Sequence, residues 1–79
     1  MQLNEIVDYK GIGTIQMCKD EEGQKYYLYT HNFFKEPMDE DTIKGAKEML
    51  DWEEGKAREI RNAISILSSR GYKIYKEIA

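Results

Sequence analysis

The chain has 79 residues, a formal net charge of −3 and a single cysteine, Cys18. A chain of this length forms one hydrophobic core, so we expect a single domain over residues 1–79. One cysteine excludes an intramolecular disulfide and a cysteine-based zinc site. No stretch approaches the roughly 18 apolar residues of a membrane span, and the N-terminus lacks a signal pattern, so we expect a cytoplasmic protein with no membrane partner.

The first half of the chain has the pattern of a β-hairpin. Residues 13–19 and 24–34 are rich in Thr, Ile, Tyr and Phe, which favour strands, and the polar residues 20–23 separate them. Gly23 can adopt the positive φ that such a turn requires. Upstream, the weaker alternation of Leu3, Val7 and Tyr9 predicts a further strand, with residues 11–13 as a bend.

The turn length decides which hairpin residues share a face. With a loop of four residues, Met17 faces Tyr26 and Ile15 faces Leu28; a two-residue turn slides the pairing by two and keeps the faces. We therefore assign these four residues to the core. The opposite face then carries Thr14, Gln16, Cys18, Tyr27, Tyr29, His31 and Phe33. A three-residue loop with a bulge would mix the two faces.

The second half of the chain has helical periodicity. After Pro37, Asp39 or Asp41 can cap a helix N-terminus. Apolar residues then recur on one helical face, interrupted only by Glu53, at Ile43, Ala46, Leu50, Ala57, Ile60, Ile64 and Leu67. One helix over residues 41–69 would be about 43 Å long, so two helices divided near residues 51–55 are the alternative.

These elements predict an α+β fold. We expect Gly71 to end the helical segment and residues 72–78 to form a final strand. The sheet would then be antiparallel with three or four strands, the N-terminal hairpin plus the C-terminal strand, packed on one or two α-helices. The predicted core is Ile15, Met17, Tyr26, Leu28, Leu50, Ile60, Ile64, Leu67 and Ile74.

We predict no catalytic residues, no metal site and no cofactor. Nucleophilic catalysis would need Cys18 near His31, but either hairpin register separates them by about 13–20 Å. The acidic run at residues 39–41 lacks the spacing and central glycine of a calcium loop. Gly11-x-Gly13 lacks the third glycine of a dinucleotide fingerprint.

The aromatic hairpin face is the candidate contact surface for a protein partner. Tyrosine brings a large rigid area and a hydroxyl to an interface at low entropic cost. Residues 35–54 add eight acidic residues against three lysines. The predicted contact residues are Tyr27, Tyr29, His31, Phe33, Glu36, Asp39 and Asp41. The competing interpretation is that these tyrosines stabilise the sheet itself through cross-strand pairs.

Two alternatives use the C-terminal third. Residues 55–79 carry six basic residues against two acidic ones, so a nucleic-acid-binding regulator would use Arg58, Arg61, Arg70 and Lys73. The long apolar helix stripe would instead serve a structural homodimer.

The stretch YKGIGTIQMCKDEEGQKYYLYTHNFFKEPMDEDTIKGAKEMLD, residues 9–51, covers about half of the chain. It resembles small phage and prophage accessory proteins in which a short β-meander precedes a helix with an Ala-Lys-x-x-x-Asp run. Such proteins are similar in size and organisation to anti-CRISPR and other anti-defence proteins, which act by docking on a host protein. The resemblance implies a non-enzymatic inhibitor of a host factor, and it assigns no residue a role.

Overall fold

A computed structural model, which describes residues 1–71, contains four strands and one helix. They are β1 (Ile6–Tyr9), β2 (Gly13–Lys19), β3 (Lys25–His31), β4 (Pro37–Glu40) and α1 (Ile43–Ser69). The strands form one antiparallel sheet in the order β1-β2-β3-β4, and α1 packs mainly on β3, with further contacts to β2 and β4. The α+β prediction is confirmed by this sheet and its single helix. The strand predicted at residues 72–78 lies outside the described residues.

The loop between β2 and β3 sets the hairpin register. Lys19 pairs with Lys25, and the backbone N–H of Asp20 still donates to the Gln24 carbonyl at 3.0 Å. Three residues, 21–23, therefore form the tip, where Gly23 has φ +83°. The Asp20 carboxylate accepts the backbone N–H groups of residues 22 and 24, which fixes this turn.

The observed register corrects the predicted faces of the hairpin. Ile15 pairs with Tyr29 and Met17 with Tyr27, whereas Cys18 pairs with Tyr26. The three-residue tip shifts β3 by one residue relative to the predicted pairings, so the residues of β3 exchange faces. Tyr26 and Leu28, predicted to be core, are half-buried on the sheet face away from the helix.

The core lies between the sheet and the first half of α1. Its buried members are Ile15, Tyr29, Ala46 and Leu50. Val7, Tyr9, Ile12, Tyr27, Ile43 and Met49 pack against them. Across the sheet, Val7, Ile15, Tyr29 and Met38 are neighbours in register, so they form one row on the helix-facing side.

Helix α1 begins at a different cap than predicted, and it is the single helix of the two alternatives. Thr42 is the N-cap, and its side chain accepts the Gly45 N–H at 3.0 Å. The predicted caps were wrong. Asp39 belongs to β4, a strand that the sequence did not predict, and Asp41 precedes Thr42. The helix runs without a break through Gly55, and Gly71, with φ +83°, follows its end as predicted.

The second half of α1 extends past the sheet. Ala57 is its last buried residue, so Ile60, Ile64 and Leu67, predicted to be core, are exposed instead. The four-stranded sheet covers about four turns of a helix that is about 40 Å long. The remaining predicted core residue, Ile74, lies outside the described residues.

Candidate functional site

A groove of about 270 Å³ opens beside β4, between the sheet and the middle of α1. Its sheet side comes from Tyr29 and Met38, which face each other across β3 and β4. Its helix side comes from residues spaced as i, i+3, i+4 and i+7, which share one helical face. The lining residues are Tyr29, Phe34, Glu36, Met38, Met49, Trp52, Glu53 and Lys56.

The apolar walls of the groove are unusually exposed. Phe34 is 38% exposed, Met38 45% and Trp52 56%, and the three side chains line the same groove. Scattered single apolar residues are normal on a protein surface, but a contiguous group marks an interaction site. The groove is therefore the candidate contact surface among the described residues.

Two carboxylates give the groove a negative character. Glu53 is half-buried, and burial raises its pKa; His31 lowers the pKa, and the charge of Glu36 raises it further. Within residues 1–71, neither Glu36 nor Glu53 forms an ion pair. The cation on the lining, Lys56, lies with its Nζ 4.3 Å from the centre of the Trp52 ring.

Tyr29 forms the floor of the groove, and the pKa of its hydroxyl shows the effect of the nearby acidic residues. The residue is only 2% exposed, and its hydroxyl, which forms no hydrogen bond among the described residues, is reached by solvent. Burial raises the pKa of this hydroxyl, and the charges of Glu53, Glu40 and Asp39 raise it further. At neutral pH the hydroxyl is therefore protonated, and it remains available as a donor or acceptor in the groove.

A hydrogen-bond network around the buried His31 lies next to the groove and ties α1 to the end of β3. His31 is fully buried; its Nδ1 accepts the Phe33 backbone N–H at 3.0 Å, so Nε2 is the nitrogen that donates to Glu54 Oε1 at 2.9 Å. Glu54 also contacts Arg58 at 3.3 Å and Arg61 at 3.5 Å. Burial raises the Glu54 pKa, but the hydrogen bonds from His31 and Arg58 and the charge of Arg61 lower it overall.

The structure corrects part of the predicted partner surface. Tyr29 and His31 are buried under α1 and cannot form an exposed aromatic face, because the hairpin register places them on the helix side. Tyr27 is half-buried on that same side. Phe33 is also half-buried, stacks edge-on against Phe34 and has the Arg61 guanidinium 5.2 Å from its ring centre.

The predicted acidic contacts remain at the surface, but they are not brought together. Glu36 lines the groove. Asp39 is exposed on β4, and Asp41 is exposed in the connection to α1. Of the predicted contacts, therefore, Tyr29 and Glu36 line the groove, the former as its buried floor.

The residues of the nucleic-acid hypothesis are separated along the helix. Arg58 and Arg61 both contact Glu54, whereas Arg70 is exposed at the helix C-cap. Arg70 is twelve residues from Arg58, which is about 18 Å along the axis. Lys73 lies outside the described residues. The three described arginines do not form one basic patch.

The residues considered for chemistry also lie apart. His31 pairs with Gly13, five residues along β2 from Cys18, and Cys18 lies on the opposite face of the sheet. Residues 1–71 contain no group of three or more His, Cys, Asp or Glu side chains placed to hold a metal ion. Over the same residues, no helix has the length and apolar character needed to cross a membrane.

Sequence reasoning missed most of the groove. Phe34, Met38, Met49, Trp52, Glu53 and Lys56 line it without having been predicted as site residues. One signal was present: Met49 and Trp52 are large apolar residues beside the predicted core stripe, with Glu53 and Lys56 completing their helical face. Glu53 was interpreted as an interruption of the core stripe, although it marks the edge of this second face.

Comparisons with models of protein families, with curated proteins and with solved structures found no match for this chain.

Proposed function

We propose that this domain is a protein-binding module and that the groove beside β4 is its contact site. One observation carries the proposal: Phe34, Met38 and Trp52, all substantially exposed, converge on one groove. Tryptophan is among the residues that contribute most to binding energy, and methionine adapts its shape to different partners. A partner that covers these side chains removes their apolar area from water, which favours association.

The proposal includes a non-enzymatic mode of action. The chain has one histidine, His31, and both of its ring nitrogens are already engaged in the protein interior. A ring in this arrangement supports the structure and does not exchange protons with a substrate. Binding alone is therefore the activity that the arrangement supports best.

The resemblance to phage and prophage accessory proteins extends the proposal to a biological role. In that role the domain acts in the cytoplasm and inhibits a host protein by occupying part of its surface. The buried free thiol of Cys18 is compatible with a reducing compartment. The groove gives such an inhibitor an anchor for a protruding side chain of its target.

The test uses a partner first retained by the wild-type protein and then purified. Replacing Trp52 with Ala should weaken its binding about 30-fold, because truncating a central aromatic anchor costs roughly 2 kcal/mol. Isothermal titration calorimetry measures the affinity. Ile66→Ala is the matched control, because Ile66 is equally exposed but lies near the helix end, away from the groove.

Both variants are expected to unfold at the wild-type temperature, because the substituted side chains are exposed. If the purified partner binds a folded Trp52→Ala variant as tightly as the wild type, the groove is not the contact site. If Ile66→Ala weakens binding instead, the contact site lies on the end of the helix.

Self-association is a second candidate, and one observation favours it. Ile60, Ile64 and Leu67 continue the alternating three- and four-residue spacing of the core stripe beyond the sheet, and all three are exposed. That spacing is typical of helices that pair with one another. A mass of two chains by light scattering at tens of micromolar would support this function, and a monomeric mass would remove it.

A further inference from the structure

We propose that the groove binds an arginine side chain of the partner protein, with the guanidinium between Glu36, Glu53 and the Tyr29 hydroxyl. This inference rests on the proposed function and names the chemistry of the partner at that site. Three properties of the groove point to arginine: its charge, its open hydrogen-bonding groups and its aromatic wall.

The charge of the lining favours a cation. Two carboxylates, Glu36 and Glu53, line the groove against one ammonium group, Lys56. Neither carboxylate is paired within residues 1–71, and Asp39 and Glu40 add to the negative potential that Tyr29 experiences. An acidic or neutral segment would leave the half-buried Glu53 uncompensated, whereas a cation would offset its desolvation.

The polar groups in the groove match a donor with several N–H groups. The two carboxylates accept hydrogen bonds, and the Tyr29 hydroxyl, which solvent reaches, has no partner among the described residues. A guanidinium has five N–H donors in a planar fork, so it can address several acceptors at once, whereas an ammonium group is a compact, strongly hydrated charge. Arginine therefore fits this set of acceptors better than lysine.

The apolar walls fit the rest of an arginine side chain. Its three methylene groups can lie along Met38 and Met49, because long cationic side chains bury their stems against apolar surface. Its guanidinium can stack on Trp52, where Lys56 Nζ lies at present. The incoming arginine thus displaces Lys56 to solvent, so Lys56 opposes binding by charge repulsion.

The experiment starts from a display library of random twelve-residue peptides. Peptides are selected on the full wild-type chain and depleted on the Trp52→Ala variant, so that only groove-dependent binders remain. We expect these binders to share an arginine with apolar neighbours. Changing that arginine to glutamine in a synthetic peptide should weaken binding about tenfold to a hundredfold, as for hydrogen bonds to charged groups, and changing it to lysine should weaken binding less.

Two protein variants test the proposed contacts. Glu53→Gln should weaken the arginine peptide about tenfold while changing the affinity of the glutamine peptide little, because only the arginine peptide pairs with the carboxylate. Lys56→Gln should tighten binding of the arginine peptide. Glu48→Gln is the matched control, because it removes the same charge from an exposed position of α1 outside the groove.

The outcomes separate this inference from the proposed function. Groove-dependent peptides without arginine would overturn the arginine inference and leave the protein-binding function standing. Unchanged affinity of the arginine peptide for Glu53→Gln, or weaker binding by Lys56→Gln, would also overturn it. A selection that yields no peptide dependent on Trp52 would overturn the groove as a protein-binding site, and the arginine inference with it.

Discussion

Glu53 and Glu54 are neighbours on α1 but have opposite electrostatic surroundings. Glu54 is held by His31, Arg58 and Arg61, and its pKa is lower than usual. Glu53 is half-buried beside Glu36, and its pKa is higher than usual, chiefly because burial disfavours the charged form. Glu54 thus joins the helix to the end of β3, whereas Glu53 has no ion-pair partner among the described residues.

The raised pKa of Glu53 predicts that Glu53→Gln stabilises the free protein at neutral pH. The folded state binds the Glu53 proton more tightly than the unfolded state, so stability falls as the pH rises above the ordinary value near 4.5. Removing the charge removes this cost. We expect a higher melting temperature for the variant at pH 7 and equal melting temperatures at pH 3.5, measured by circular dichroism.

Glu48→Gln serves as the control for this measurement. Glu48 is exposed and lies 3.9 Å from Lys44, so its replacement should change the melting temperature little at either pH. A Glu53→Gln variant that is less stable than the wild type at pH 7 would contradict the prediction. A stabilised variant would also show that its weaker binding of an arginine peptide does not come from unfolding.

At the scale of the elements, composition predicted the strands of the hairpin but not their register. The segments around residues 13–19 and 24–31 were assigned correctly because tyrosines dominate the second and a polar, glycine-containing loop separates it from the first. Both faces of β3 carry tyrosine, however, with Tyr26 on one side and Tyr27 and Tyr29 on the other. The hydrophobic pattern therefore did not select a face, and a one-residue difference in loop length decided it.

The sequence likewise predicted the helix α1 but not the residue at which it begins. Periodicity predicted α1 well, because its apolar residues recur with helical spacing over many turns. The two predicted caps, Asp39 and Asp41, precede that stripe, but the observed cap is Thr42. The short strand β4 takes up the first of them by pairing with β3, and the pairing depends on contacts that local sequence does not encode.

We expect a glycine-to-alanine substitution to have opposite effects on stability at Gly13 and at Gly55. A Cβ on Gly13 would lie 2.5 Å from the Thr30 carbonyl oxygen and 2.8 Å from Leu50 Cδ2, so Gly13→Ala should destabilise the fold by about 1–3 kcal/mol through overpacking. A Cβ on Gly55 would meet nothing within 4 Å. Gly55→Ala should stabilise the helix by about 0.5–1 kcal/mol.

Urea unfolding of both variants measures these free energies directly. The Gly55 variant also controls for the general effect of exchanging glycine for alanine in the unfolded chain. Equal stability of the two variants would mean that neither the Thr30 carbonyl nor Leu50 packs against Gly13 as closely as these distances indicate.

At the scale of the whole molecule, the groove could not be predicted because three separate parts of the chain form it. Tyr29 comes from β3, Phe34, Glu36 and Met38 come from β4 and the segment before it, and the remaining residues come from α1. Sequence reasoning identified aromatic and acidic residues, Glu36 among them, as contact candidates. Their convergence required the strand order and the hairpin register, and neither can be obtained from composition.

The exposed apolar stripe on the second half of α1 leads to a prediction about dimer formation. Ile60, Ile64 and Leu67 form a stripe with the spacing of a helix-pairing seam, while Ile66 is exposed but lies about 200° around the helix from Ile64. If two chains pair through the stripe, Ile64→Ser should convert a dimer to a monomer, because a polar residue in the seam loses apolar burial from both chains.

Light scattering at tens of micromolar gives the mass of each variant. Ile66→Ser is the matched control, because it makes the same chemical change off the stripe and should leave the dimer intact. Circular dichroism at the same concentration checks that both variants keep their helix. A wild-type protein that remains monomeric at 100 μM would exclude pairing through this stripe, since a dimer with a Kd of about 100 μM would already hold half of the chains at that concentration. A dimer that survives Ile64→Ser would place the interface elsewhere, and the groove would then be the first surface to examine by Trp52→Ala.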